Sequence, residues 1–245
     1  MAALQTAKKD LRRKIRKILL DVPKESIISQ STVATNRLLS LPQYHDAKRI
    51  GVYLSMPTGE ISTTGIVQDA LKHRKEVFIP YIHSVDVAPE QPKVSVMDML
   101  ALNSMEEFES LEPDKWGIPS LREECVASKE NCLGGYGVSP TRPRDATGND
   151  PGLDLIIMPG MAFDGSLRRL GHGKGYYDYF LKRYSEEVAS KTSTRRKPFL
   201  GYDVVALALK EQILPPTEEI PVGDHDWPVD AIIVGDGRFI TSKSS

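Results

Sequence analysis

Residues 168 to 178 read RRLGHGKGYYD, and this stretch carries the richest chemistry in the chain. Gly171, Gly173 and Gly175 alternate with His172 and Lys174, Arg169 and Leu170 precede them, and Tyr176, Tyr177 and Asp178 follow. Glycines in such a loop let backbone N–H groups approach an anion closely, and a helix N-terminus just beyond adds favourable partial charge. Lys174 and Arg169 would each add a full positive charge. The pattern is neither of the standard phosphate motifs. Lys174 is followed by Gly175 rather than Ser or Thr, and Arg168 stands where the first glycine of a Walker A loop belongs. A dinucleotide fingerprint starting at Gly171 would need its third glycine at Tyr176. A tight turn before a helix explains the glycines equally well. The neighbouring Arg169, Lys174 and Asp178 favour phosphate.

Asp178 falls in the first turn of the following helix, where an acid complements the helix dipole. It could equally serve as a Mg²⁺ carboxylate, since magnesium takes one or two carboxylates together with phosphate oxygens and water. VGDHDWPVD, residues 222 to 230, offers Asp224, Asp226 and Asp230 as a second carboxylate. His225 among them has no second histidine at ligand spacing, which argues against a transition metal. Glu60, after the turn SMPTG, suits either a loop cap or a ligand acceptor. Lys8 and Arg12 are four apart on an amphipathic segment over residues 6–20 and share its face. They border the apolar stripe of Leu11, Ile15, Ile18 and Leu19. A solvated basic face and a reach toward a cleft both fit them.

Strands predicted over 49–55, 76–82, 93–100, 153–160, 199–209 and 228–236 must position these groups. Helices are predicted over 26–41, stopping near Pro42, from Ser62 or Thr63 onward, and from about Tyr176. This alternation implies an α/β fold with a mostly parallel sheet, and ligands in such sheets bind beyond the carboxyl ends of the strands. Residues 161–175 read as a loop. Residues 129–152 and 190–198 are polar, lack periodicity and read as segments that loop out of one domain spanning 1–245.

The chain has 245 residues, 40% of them hydrophobic and 27% charged, as in ordinary globular proteins. A net charge of −1 supplies no overall field toward nucleic acid or membrane, and no RNA-binding motif accompanies the basic N-terminal segment. No apolar run approaches the roughly 18 residues of a membrane span. Two cysteines, Cys125 and Cys132, make no disulfide framework and fit a reducing, cytoplasmic compartment. The basic N-terminus resembles a mitochondrial presequence, although Asp10 counts against that.

IIMPGMAFDGSLRRLGHGKGYYDYFL strongly resembles the signature of the 5-formyltetrahydrofolate cyclo-ligase family. AKKDLRR, VYLSMPTGEIST, FIPYI, WGIPSL, VVALALKEQI and VGDHDWPVDAIIV extend the resemblance along most of the chain. It implies a three-layer α/β/α, Rossmann-like domain and an ATP- and Mg²⁺-dependent closure of 5-formyltetrahydrofolate to 5,10-methenyltetrahydrofolate, with ADP and phosphate released. It also implies that Lys8, Arg12 and residues Arg169 to Tyr177 bind ATP, with Lys174, Arg169 and Tyr176 catalytic. Asp178 and Asp226 would then hold Mg²⁺, and Leu54, Glu60, Trp116, His172 and Tyr176 would line the folate pocket. A monomer is expected. His172 departs from the pattern, since relatives often carry arginine there, and an imidazole lacks both the permanent charge and the fork of donors. Two other readings compete: a phosphoryl-transfer enzyme with another acceptor, and an inactive folate- or nucleotide-binding protein.

Overall fold

The computed structural model describes residues 2–85, 94–138, 152–191 and 204–242. The chain opens with helices α1 (Ala2–Leu20), α2 (Lys24–Leu39) and α3 (Pro42–Asp46), then strand β1 (Arg49–Val52) and helix α4 (Thr64–Lys72). Strands β2 (Glu76–Val85) and β3 (Val94–Leu102) are followed by α5 (Met105–Glu109), β4 (Glu112–Pro113), β5 (Pro119–Ser120) and α6 (Glu123–Val126). The second half runs β6 (Leu155–Met158), β7 (Ala162–Phe163), β8 (Arg169–Leu170), α7 (Tyr176–Lys191), β9 (Val204–Ala208), β10 (Ala231–Val234) and β11 (Phe239–Thr241).

Seven strands form one sheet in the order β11-β10-β9-β6-β1-β2-β3. The five central strands run parallel, while β3 and β11 close the edges antiparallel. The period of two sorts side chains onto two cores. Leu155 and Ile157 of β6 face a core shared with Ala34 and Leu38 of α2 and Val67 and Ala70 of α4. Ile156 and Met158 face the opposite core, shared with Phe180, Leu181 and Tyr184 of α7. The result is the expected three-layer α/β/α arrangement. Strand β6 has helices on both sides, which is why its sequence is apolar without alternation.

Several elements differ from expectation. Pro42 does not merely end α2: it opens α3, because a proline at the first helical position gives up a donor that has no partner there anyway. Thr63 is the N-cap residue of α4, but its hydroxyl donates to the carbonyl of Tyr53 (2.7 Å) rather than capping the helix. The stretch 161–175 contains the hairpin β7–β8 instead of being all loop. A further strand, β11, follows the one expected to be last. The start of the supposed loop-out at 129–152 is built into the sheet edge. The amide of Ala101 donates to Glu130 O (2.8 Å), that of Cys132 donates to Met99 O (3.0 Å), and Asn131, Cys132 and Leu133 are buried. Residues 139–151 and 192–203 lie outside the described residues, and with them most of 190–198.

Helix α1 lies across the carboxyl ends of the strands. Ile15 packs with Met161, Ala162, Leu170, Leu214 and Ile220 in a third cluster, flanked by Leu11 and Leu19. Ile18, expected on the same stripe, remains exposed.

Candidate functional site

The glycine loop is set by the hairpin before it and the helix after it. Asp164 shapes the hairpin turn: one carboxylate oxygen accepts from the amides of Ser166 (3.0 Å) and Arg168 (3.1 Å), and the other from Ile220 (2.9 Å). Gly160, after β6, leaves room for Arg169, since a Cβ there would lie 3.0 Å from Arg169 Cγ and 2.5 Å from Phe163 Cζ. The buried side amide of Gln212 donates to Gly160 O (2.6 Å) and holds this crossing in place. Gln212 was not singled out from the sequence; its signal was the VVALALKEQI match alone. Gly173 (φ +96°) and Gly175 (φ +70°) adopt left-handed conformations that a Cβ would strain, so turn geometry does require these two glycines.

Helix α1 supplies what periodicity left open. Arg12 Nε donates to Gly171 O (2.8 Å), and its guanidinium lies against Gly173. Burial holds this guanidinium below its ordinary pKa, an effect Asp226 opposes. Lys8, only 8% exposed, places Nζ 2.5 and 2.6 Å from the two carboxylate oxygens of Asp226. Both cations therefore face the site rather than solvent. Lys174 is exposed and makes no hydrogen bond or ion pair among the described residues.

The two candidate metal carboxylates meet at one seam. Asp178 Oδ1 accepts from Arg169 Nη2 (2.9 Å) and from the amide of Trp227 (3.0 Å). Trp227 directly follows Asp226, whose Oδ2 also accepts from the amide of Gly223 (2.6 Å). Of the other acids weighed, Asp230 accepts from the amide of Val204 (3.0 Å) and fixes the start of β9. Asp224 is exposed. No group of three or more His, Cys, Asp or Glu suited to a metal occurs among the described residues. Two hard carboxylates beside a glycine loop nevertheless fit Mg²⁺, which would draw its remaining ligands from phosphate and water.

Glu60 stands on the opposite wall. It is 6% exposed; Oε2 accepts from the amide of Met56 (3.0 Å), and Oε1 lies 3.3 Å from His172 Nε2. Two tyrosines lie close enough to feel its charge. Burial first, and Glu60 second, push the phenols of Tyr53 and Tyr177 well above their ordinary pKa, so both remain neutral donors. Tyr53, which the sequence reading passed over, donates to Ile61 O (2.7 Å). The Tyr177 hydroxyl is buried without a partner. A buried hydroxyl lacking a hydrogen bond costs about 1–3 kcal/mol. Tyr177→Phe is therefore expected to raise the thermal midpoint while weakening ligand binding, and paired melting and binding titrations check both. A lower midpoint with unchanged binding would remove the hydroxyl from the site.

The remaining pocket candidates divide. Trp116 is 42% exposed on a turn whose Gly117 (φ +77°) abuts Pro57; a Cβ there would come within 2.8 Å of Pro57 Cγ. Its turn thus joins the Met56–Glu60 wall. Leu54 is buried in the α2–α4 core, so its side chain backs that wall. Tyr176 is half-buried and packs on the α7 side of the sheet.

A glycine loop, two neighbouring carboxylates and a buried acid thus gather around one end of the parallel sheet. Over 238 residues the chain is 36% identical to the 5-formyltetrahydrofolate cyclo-ligase of Mus musculus, covering 96% of this chain and 98% of that protein. It is 29% identical over 236 residues to "5-formyltetrahydrofolate cyclo-ligase, mitochondrial" of Arabidopsis thaliana, covering 94% and 74% respectively. The fold is similar to the NMR structure of Aquifex aeolicus 5,10-methenyltetrahydrofolate synthetase, with a TM-score of 0.61, 24% identity and coverage of 97% and 94%. Residues 4–235 match the model of one family, and the chain belongs to it: the 5-formyltetrahydrofolate cyclo-ligase family.

Proposed function

We propose that this ligase closes 5-formyltetrahydrofolate to 5,10-methenyltetrahydrofolate at the expense of ATP, releasing ADP and phosphate. A formamide oxygen is a poor leaving group. Transfer of the γ-phosphoryl group to the N5-formyl oxygen makes it a good one; N10 then attacks the formyl carbon and gives up its proton to solvent, and the C–O bond breaks as phosphate departs, leaving the methenyl bridge. Catalysis of this kind rests on positioning and on stabilising charge around the transferring group. The observation that carries the reading is that α1, the glycine loop and the Asp226 turn converge: Lys8 reaches Asp226, and Arg12 reaches Gly171 O.

In this reading, Lys8, Arg12 and the backbone from Arg169 to Tyr177, including Leu170, Gly171, His172, Gly173 and Gly175, hold the ATP phosphates. Lys174 approaches the group in transfer, with Arg169 and Tyr176 beside it. Asp178 and Asp226 would hold Mg²⁺, which when bound neutralises phosphate charge. For Asp226 to do so, Lys8 exchanges its carboxylate partner for a phosphate. Glu60 accepts the N–H donors of the pterin ring, and Trp116, His172 and Tyr176 line the ring's surroundings with Leu54 behind them. The enzyme acts as a cytoplasmic monomer; the Arabidopsis relative's name makes a mitochondrial address the alternative. No helix among the described residues is long and apolar enough to cross a membrane.

Incubation with 5-formyltetrahydrofolate, ATP and Mg²⁺ is expected to give the methenyl product's absorbance in step with ADP. Folate binding without product would identify an inactive binding protein. ADP release with another acceptor would identify a different phosphoryl transfer, and neither folate binding nor turnover would sink the proposal.

A further inference from the structure

His172 belongs to the glycine loop and Glu60 to the turn after β1, yet their side chains meet at 3.3 Å. The Met56 amide already occupies Glu60 Oε2. We infer that His172 is a positioning residue that competes with the folate ring for Glu60, so that the imidazole's charge sets folate affinity in this chain. The inference rests on reading Glu60 as the acceptor of the ring's N–H donors.

The surroundings single out that contact. From α1, Arg12 lies against Gly173 and is bonded to Gly171 O. From β8, Arg169 is paired with Asp178 of α7. Lys174 shares the loop and adds positive charge. Tyr177 from α7 and Tyr53 from the end of β1 are held as neutral phenols. Glu60 is thus the anion in contact with His172. Histidine changes charge between about pH 5 and pH 8. The sign follows directly. Protonation strengthens the hold of His172 on Glu60, so folate must displace a tighter partner as pH falls, and its Kd rises. His172 is 38% exposed, which limits the ion pair to a modest effect. Arginine at this position would hold Glu60 equally at every pH in this range.

Equilibrium binding of 5-formyltetrahydrofolate without ATP, compared at about pH 8 and about pH 6, tests the inference. The wild-type Kd is expected to rise about threefold toward the lower pH. His172→Ala and His172→Arg should each lose that dependence, and the C2 proton of His172 should shift on folate addition. Glu60→Gln should weaken binding throughout and also lose the dependence. A pH dependence that persists in His172→Ala overturns the inference while leaving the folate site standing. Glu60→Gln binding as tightly as wild type overturns Glu60 as the acceptor, and a wild-type protein that binds no folate at either pH overturns the site reading itself.

Discussion

Lys174→Ala is expected to lower kcat about a thousandfold while leaving folate affinity and thermal stability close to wild type. The size follows from how the site's positive charge is already committed. Arg12 is bonded to the loop carbonyl at Gly171, Arg169 to Asp178, and Lys8 to Asp226. Lys174 stands exposed with no such partner among the described residues, next to glycines whose left-handed turns shape the loop. Its ammonium is therefore uncommitted in the resting protein and available where charge develops. An exposed, unpaired side chain contributes little to folding, typically within about 0.5 kcal/mol, so the loss would read as chemistry rather than collapse. Lys174→Arg should recover part of the rate, because it keeps the charge but places it through a longer, planar head. Single-turnover kinetics with folate binding and melting on the same samples make the measurement. Near-normal turnover in Lys174→Ala would remove this residue from the transfer step.

Such roles were only partly legible in the sequence. The mostly parallel sheet followed from alternation of strand-like and helical segments, the three layers were implied by the family resemblance, and β6 announced itself because a strand covered on both faces needs no polar positions. The hairpin β7–β8 and strand β11 were missed because elements of two or three residues leave no period to count. Residues 129–133 read as surface because Gly, Pro, Asp and Thr dominate the stretch beyond them. Their burial comes from pairing with β3, a long-range contact that composition does not encode. Lys8 and Arg12 were ambiguous for a related reason. Periodicity places them at the border of α1's apolar stripe but does not say what α1 docks against. Only the packing of Ile15 on the β7–β8 hairpin turns that border toward the glycine loop. Asp226 was separable from Asp224 and Asp230 by its family motif alone; the fold adds that Trp227 bonds Asp178 and so brings the two acids to one seam.

That seam has a large energetic consequence beside its proposed chemical one. Arg169 is 4% exposed at its side chain, and its ion pair with Asp178 is the buried contact that ties β8 to the start of α7. Removing one member of a buried pair strands the other charge, at a cost of about 3–5 kcal/mol. In a chain of this length that lowers the melting midpoint by roughly 6–20 °C. Arg169→Ala is therefore expected to lose stability and activity together, and activity alone would not say which came first. The double variant Arg169→Met, Asp178→Asn separates them. It leaves no stranded charge, and the asparagine oxygen still accepts from the Trp227 amide. Since replacing a buried pair outright is often neutral, the midpoint should recover most of the loss. Turnover should not recover, because the loop has lost its buried cation and the proposed metal site one of its carboxylates. Melting scans and the cyclisation assay on both variants test this directly. A double variant that regains near-normal turnover would make Arg169 and Asp178 a brace for α7 and nothing more. One that fails to regain stability would locate the cost in lost packing under Gly160, where the stem of Arg169 crosses Phe163, rather than in the stranded charge.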